Sequence, residues 1–94
     1  MKRIEIFANR SVQDEVLKGL EETITDFYYT LIPVVNGRGK SEYRLGTAVW
    51  PEENFMVISY INDGDAAKAA EIIQGVKEQF PGEGIKIFFL NGEP

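Results

Sequence analysis

The 94-residue sequence predicts one α+β domain with the element order βαββαβ, in which four antiparallel strands carry two helices on one face. Four segments are rich in alternating apolar or β-branched residues, as strands are. Two segments repeat apolar residues at helical spacing. Glycine, proline and asparagine separate these segments. A chain of this length has room for a single domain, residues 1–94.

The first half of the chain predicts a strand followed by a helix. Residues 2–8 alternate, with Ile4 and Ile6 on one side of the strand. Ser11 is the expected N-cap of the helix, because Asp14 three residues later completes an acidic variant of the capping box. The apolar stripe of this helix consists of Val12, Val16, Leu17, Leu20 and Ile24.

The rest of the chain predicts three more strands and a second helix. A long strand is expected over Phe27–Val35, where aromatic and β-branched residues dominate, and Pro33 favours an edge position for it. Further strands are expected over Asn54–Ile61 and Ile85–Leu90. Between them, helical spacing relates Ala66, Ala69, Ala70, Ile73, Val76 and Phe80. This order is that of the ferredoxin-like fold.

Composition excludes several classes of function. The net charge of -5 argues against a nucleic-acid binder, because phosphate contacts need a basic surface. The chain has no cysteine and no histidine, so we assign it no disulfide, no metal site and no catalytic residue. No apolar run approaches the roughly 20 residues of a membrane span, and Glu5 interrupts the start where a secretory signal is apolar. We therefore expect a cytoplasmic protein that is not an enzyme.

Both faces of the predicted sheet are apolar. Two helices cover only one face, and the other face of such a sheet is usually polar. In the strand Asn54–Ile61 both alternating sets are apolar: one is Phe55, Val57 and Ile61, and the other is Met56, Ile58 and Tyr60. The last strand is apolar on both sides too, with Ile85, Ile87 and Phe89 against Phe88 and Leu90. Such a face exceeds the few hundred Å² of apolar patch that a monomer usually exposes. We therefore expect further copies of the chain to cover it.

The segment 36–46 is a candidate anion site. It holds three glycines together with Arg38, Lys40 and Arg44, and such a loop can offer backbone N–H groups and cations to a phosphate. It is not a P-loop, because Val34 stands where that motif needs a glycine and a strand is expected to follow. The alternative is a solvated hairpin tip.

A second glycine-bearing turn precedes the last strand. It reads Pro81-Gly82-Glu83-Gly84 and is followed by Lys86. Taken alone, this turn is better explained as a helix end and a tight turn than as a ligand site.

Together, these features resemble the PII-like signalling proteins. The string Asn36-Gly37-Arg38-Gly39-Lys40-Ser41 resembles the family's Arg-Gly-Phe-Gly-Arg-Gln at the entrance of a long loop. The string Gly82-Glu83-Gly84-Ile85-Lys86-Ile87-Phe88 resembles the family's Gly-Asp-Gly-Lys-Ile-Phe with one residue inserted. The resemblance covers nearly the whole chain.

The resemblance implies a homotrimer that assembles through the open sheet face and binds a small anionic ligand, such as ATP, ADP or another nucleotide, in the clefts between subunits. The implied ligand residues, with the loop cation Arg38 added, are Gly37, Arg38, Gly39, Lys40, Gly82, Gly84 and Lys86. The long loop, the T-loop of that family, docks on a partner protein, which assigns Tyr43 and Arg44 of loop 36–46 to partner contact. Ser41 replaces the glutamine that senses 2-oxoglutarate with magnesium, so we do not expect that response.

Two alternatives stay open. One is a CutA-like or purely structural trimer without nucleotide binding, since Leu31-Ile32-Pro33 and Trp50 loosely resemble CutA proteins. The other is a small enzyme. Acylphosphatases share the topology, and Asn9-Arg10 follows the first strand, but their glycine-rich pattern with a phenylalanine-arginine pair is missing.

Overall fold

The computed structural model describes residues 1–37 and 53–93. The strands are β1 (Lys2–Asn9), β2 (Thr30–Val35), β3 (Asn54–Ile61) and β4 (Ile85–Asn91), and the helices are α1 (Gln13–Thr23) and α2 (Ala66–Gln79). The strands form one antiparallel sheet in the order β2-β3-β1-β4. This is the predicted ferredoxin-like fold.

The core lies between the two helices and one face of the sheet. Alternate residues of the central strands, among them Ile4, Ile6, Phe55 and Val57, point toward the helices and are fully buried. The helices meet them with Val16, Leu20, Ala69, Ile73 and Val76, all buried. Because each helix buries only one stripe, the two together cover one face of the sheet.

Ser11 is not the N-cap that the sequence predicted. Asn9 ends β1, and its side-chain Oδ1 accepts a hydrogen bond from the backbone N–H of Ser11 at 2.9 Å. Residues Arg10–Val12 form a 3-10 turn, and α1 begins only at Gln13. The prediction was wrong because Asn9 lies two residues earlier and caps the turn first.

Strand β2 is shorter than predicted, since it begins at Thr30 rather than Phe27. Asp26 has a φ of 55°, so the chain turns sharply there. Phe27 is buried, and its ring stacks on that of Tyr29 with centroids 5.4 Å apart. The Tyr28 carbonyl accepts a hydrogen bond from the Ser59 hydroxyl at 2.6 Å. Phe27 therefore packs into the core, whereas the side chain of Tyr28 stays exposed and its carbonyl bonds to β3.

The two edges of the sheet differ. Strand β2 is an edge, as Pro33 predicted, and its pairing with β3 shifts register between Ile32 and Val35. Strand β4, the other edge, pairs with β1 in one unbroken register from Ile85 to Asn91.

Helices α1 and α2 approach each other closely at Gly19. A Cβ atom at Gly19 would lie 2.8 Å from Cγ2 of Ile72 on α2, a separation that real side chains do not tolerate. At Gly75 of α2, by contrast, nothing lies within 4 Å of an added Cβ.

We expect alanine substitution at these two helical glycines to have opposite effects. Gly75→Ala should raise the free energy of unfolding by about 0.5–1 kcal/mol through helix propensity. Gly19→Ala gains the same propensity but overpacks the helix contact, which costs about 1–3 kcal/mol. In urea unfolding, the free energy of unfolding of Gly19→Ala should therefore be lower than that of Gly75→Ala by about 1–3 kcal/mol. Equal stability of the two variants would contradict a close helix contact at Gly19.

Candidate functional site

One end of the sheet gathers the segments that the sequence singled out. Asn9 at the end of β1 lies opposite Asn54 at the start of β3, and Val35 at the end of β2 also lies opposite Asn54. Ile85 at the start of β4 lies opposite Ala8. We call this region the loop end; it comprises residues 9–10, 35–37, 53–54 and 82–86.

Backbone and side-chain bonds fix the loop end to the end of β1. The Arg10 backbone N–H donates to the Glu53 carbonyl at 2.9 Å, and Arg10 Nη1 lies 2.6 Å from Glu53 Oε2. The Asn9 backbone N–H donates to the Gly84 carbonyl at 3.3 Å. The start of β3 and the turn before β4 are thus held against the same two residues. The ion pair is half exposed, so its own contribution to stability is small.

The turn before β4 contains two glycines that its own geometry does not require. Neither Gly82 nor Gly84 has a positive φ, and nothing among the described residues lies within 4 Å of a Cβ placed on either. The Glu83 N–H donates to the Phe80 carbonyl at 3.0 Å, which closes the turn after α2. The missing side chains therefore leave the backbone at Gly82 and Gly84 accessible from outside.

Lys86 lies beside this turn. It is exposed on the side of the sheet away from the helices, directly opposite Phe7 on β1, and it has no ion-pair partner within residues 1–37 and 53–93. It is thus a free cation next to an open glycine backbone.

The structure brings together part of the predicted ligand site. Gly82, Gly84 and Lys86 form one group at the β4 side of the loop end. Gly37, which follows β2, lies at the opposite edge of the sheet, three strand spacings or roughly 14 Å away. The remaining predicted residues lie outside the described ranges; they are the ligand candidates Arg38, Gly39 and Lys40 and the partner-contact candidates Tyr43 and Arg44.

Arg10 and Glu53 belong to the loop end, although sequence reasoning gave neither of them a role there. The pair Asn9-Arg10 was of interest only as an acylphosphatase feature. The available signal was topological: a residue directly after β1 lies next to the turn that enters β4, because β1 and β4 are antiparallel neighbours. Arg10 is therefore the second cation of the loop end.

The face of the sheet away from the helices is largely apolar, as predicted. We call it the open face; it carries Arg3, Glu5, Phe7, Thr30, Ile32, Met56, Ile58, Tyr60, Lys86, Phe88 and Leu90. Phe88 is 49% exposed in the single chain, and its ring meets that of Phe7 edge-on with centroids 6.1 Å apart. Tyr60 and Leu90 are exposed to a similar degree.

A shallow groove lies at the other end of the sheet. It is lined by Tyr28, Tyr29, Thr30, Ile58, Ser59 and Tyr60. A hydrogen bond to Glu21, together with partial burial, raises the pKa of Tyr29 above its usual value. No charged side chain lines the groove, so it is less suited to an anion than the loop end.

Two negative findings apply to the described part of the chain. Within residues 1–37 and 53–93, no three acidic side chains lie close enough together to hold a metal ion. Neither α1 nor α2 is long and apolar enough to cross a membrane.

Comparison with known proteins gives no match in sequence but clear matches in structure. No protein-family model matches the chain, and no curated protein matches it significantly. CPII of Thiomonas intermedia K12, solved with ADP and bicarbonate, has a TM-score of 0.67 at 15% identity over 95% of this chain and 84% of its own. A Thermus thermophilus protein classed with PII-like signaling proteins has a TM-score of 0.54 at 15% identity over 95% of this chain and 83% of its own.

A designed protein also has this fold. Foldit4, designed de novo, has a TM-score of 0.63 at 10% identity and covers 98% of both chains. Since a designed protein shares the fold, the fold does not by itself identify a ligand. The comparisons therefore establish that the chain has the ferredoxin-like α+β fold of PII-like proteins, a fold that is matched here without similarity of sequence.

Proposed function

We propose that this chain is a PII-like regulatory protein that assembles as a trimer and binds a small anionic ligand, an adenine nucleotide in the first instance, at the loop end. The observation that carries the proposal is the open glycine backbone at Gly82 and Gly84 beside the free cation Lys86. Accessible N–H groups next to a cation suit the phosphates of a nucleotide.

The comparisons support this choice of ligand. CPII, whose fold this chain shares, is a nitrogen regulatory PII-like protein that has been solved with ADP, AMP and bicarbonate. The loop end of this chain holds two cations, Arg10 and Lys86, and two carboxylates, Glu53, which pairs with Arg10, and Glu83. In a chain of net charge -5, an end whose cations balance its carboxylates is less negative than the rest of the chain, which favours an anion there over the remaining surface.

Assembly would complete the site. Gly37 and the Gly84 turn stand at opposite edges of one sheet, so a small ligand that contacts both would take them from two different copies. Self-association also covers the open face, where Phe88 and Leu90 are exposed in the single chain. In this proposal, loop 36–46 contacts a partner protein, and the protein performs no chemistry on its ligand.

We expect calorimetry to detect ADP binding, and we expect Gly82→Ala and Gly84→Ala to abolish it without loss of stability. An added Cβ meets nothing within 4 Å in the protein, so each variant should be as stable as the wild type or more stable by up to about 1 kcal/mol. The same methyl group would block the approach of a phosphate to the backbone. Gly64→Ala, in a turn at the other end of the sheet with equally open surroundings, is the matched control and should bind ADP normally.

Lys86→Ala should weaken ADP binding by about tenfold or more, since a charge-assisted hydrogen bond contributes about 1.5–3 kcal/mol. Lys68→Ala, which removes a cation from α2 on the helix side, should leave binding unchanged. Absence of heat with ADP, ATP, AMP and cyclic dinucleotides at high protein concentration would contradict the proposed ligand class and favour a structural trimer.

We expect sedimentation analysis of the wild-type protein to give the mass of three chains, and Phe88→Lys to give the mass of one. A lysine at position 88 lies directly opposite Glu5, so the single chain accommodates it, but it places a charge on the apolar face that copies would share. Gln74→Lys, on the exposed side of α2, adds the same charge elsewhere and should remain trimeric. A monomeric wild-type protein would overturn the proposed assembly.

A further inference from the structure

Three polar side chains form a connected network on the two central strands of the open face, β1 and β3. Arg3 Nε lies 2.9 Å from Glu5 Oε2, and Arg3 Nη1 donates to the Tyr60 hydroxyl at 2.9 Å. The Arg3 guanidinium also lies over the Tyr60 ring, 5.7 Å from its centroid. The Tyr60 and Glu5 hydrogen bonds raise the pKa of Arg3, so the guanidinium keeps its charge.

This network lies among apolar side chains. On either side of Glu5, across the neighbouring strands, stand Ile58 and Phe88. Leu90 flanks Arg3 on the β4 side. The side chains of Arg3 and Glu5 are only 31% and 23% exposed in the single chain. A partner that covers the open face would therefore remove both charges from water.

The position of the Tyr60 ring depends on the small size of Gly92. A Cβ at Gly92 would lie 3.0 Å from Tyr60 Cδ1 and 3.3 Å from the Arg3 backbone nitrogen. A side chain at position 92 would push the Tyr60 ring or the β1 backbone by a few tenths of an ångström, a shift that glycine avoids. The network is thus built by four positions that come from β1, β3 and the segment after β4.

The network is only half satisfied within one chain. A guanidinium has five N–H donors, of which two are used by Glu5 and Tyr60. Glu5 accepts through Oε2, and its Oε1 has no hydrogen-bond partner among residues 1–37 and 53–93. The unused N–H groups of Arg3 and the unused Oε1 of Glu5 are complementary. A second copy of the same face therefore presents an acceptor for the Arg3 donors of the first copy.

The rest of the open face also favours a second copy as the occupant. Four strands about 4.8 Å apart and six residues long span roughly 400 Å² in plan, which is about half of a standard protein interface per partner. An apolar face of this size, whose charged side chains are the Arg3–Glu5 pair and Lys86 toward the loop end, matches a surface of the same kind better than a strongly charged one. Edge contacts between copies would supply the remaining area.

We propose that Arg3, Glu5 and Tyr60 form the polar centre of the interface between copies of this chain and fix its register, with Arg3 of one copy donating to Glu5 of the next. The proposal rests on the self-assembly proposed above. Apolar contacts between two faces are not directional, so they do not fix how the faces align. A hydrogen-bonded pair of Arg3 and Glu5 from two copies forms in one alignment only.

The test compares the oligomeric state of three proteins by sedimentation equilibrium. The wild type should form one species. Glu5→Gln keeps the size of the side chain but leaves Arg3 without a counter-charge, so the dissociation constant of the assembly should rise about 30-fold or more. The double variant Arg3→Met with Glu5→Leu should assemble about as tightly as the wild type but into a mixture of stoichiometries, because the apolar contact remains and the alignment is lost.

Glu71→Gln is the matched control, because it removes one carboxylate from the exposed side of α2, away from the open face and the loop end, and should leave the assembly unchanged. Thermal melts at low concentration check that Glu5→Gln still folds, and Tyr60→Phe provides a milder second variant that removes only the hydroxyl. Unchanged association in both Glu5→Gln and Tyr60→Phe would overturn the proposal. A double variant that dissociates as fully as Glu5→Gln would overturn the role in register.

This experiment separates the two proposals. A wild type that assembles and responds to Glu5→Gln, but gives no heat with ADP, supports the network and contradicts the ligand. A monomeric wild type that binds ADP contradicts the network and leaves the ligand proposal standing.

Discussion

The arrangement depends on one constraint: two helices can cover only one face of a four-stranded sheet. The buried apolar stripes of α1 and α2 pack against Ile4, Ile6, Phe55 and Val57 of the sheet. No helix among residues 1–37 and 53–93 covers the apolar side chains of the other face. In the proposed assembly the hydrophobic effect acts between chains as well as within the chain, and the location of the proposed ligand site follows from where copies would meet.

The order of the elements and their approximate positions could be predicted because each element repeats apolar residues with its own period. The local boundaries could not. Ser11 and Asp14 have the sequence of a capping box, yet Asn9 takes the capping role because β1 delivers its side chain to the Ser11 N–H. Phe27 and Tyr29 have high strand propensity, but their rings stack on each other after the sharp turn at Asp26. Tertiary packing decided both cases.

The candidate site was predictable where glycine and charge occur together in sequence, and not where topology alone brings residues together. The turn at Gly82 and Gly84 was found from its pattern. Arg10 and Glu53 are 43 positions apart and become neighbours only through strand pairing. The polar centre of the open face was likewise hidden, because Arg3 and Glu5 look like the ordinary polar positions of an alternating strand. What makes them unusual is that the neighbouring strands present Ile58, Tyr60, Phe88 and Leu90 beside them.

The unequal edges of the sheet have a consequence for how the protein avoids aggregation. Pro33 lacks an N–H and the shifted register of β2 disturbs its outer side, so an incoming strand finds poor pairing there. The β4 edge has neither feature, and apart from Lys86 it presents apolar residues from Ile85 to Leu90 in an even ladder. In the proposed assembly, neighbouring copies would protect that border. Dilution below the dissociation constant of that assembly would expose the β4 edge as a template for fibre-like growth. This would happen on one side of the molecule only.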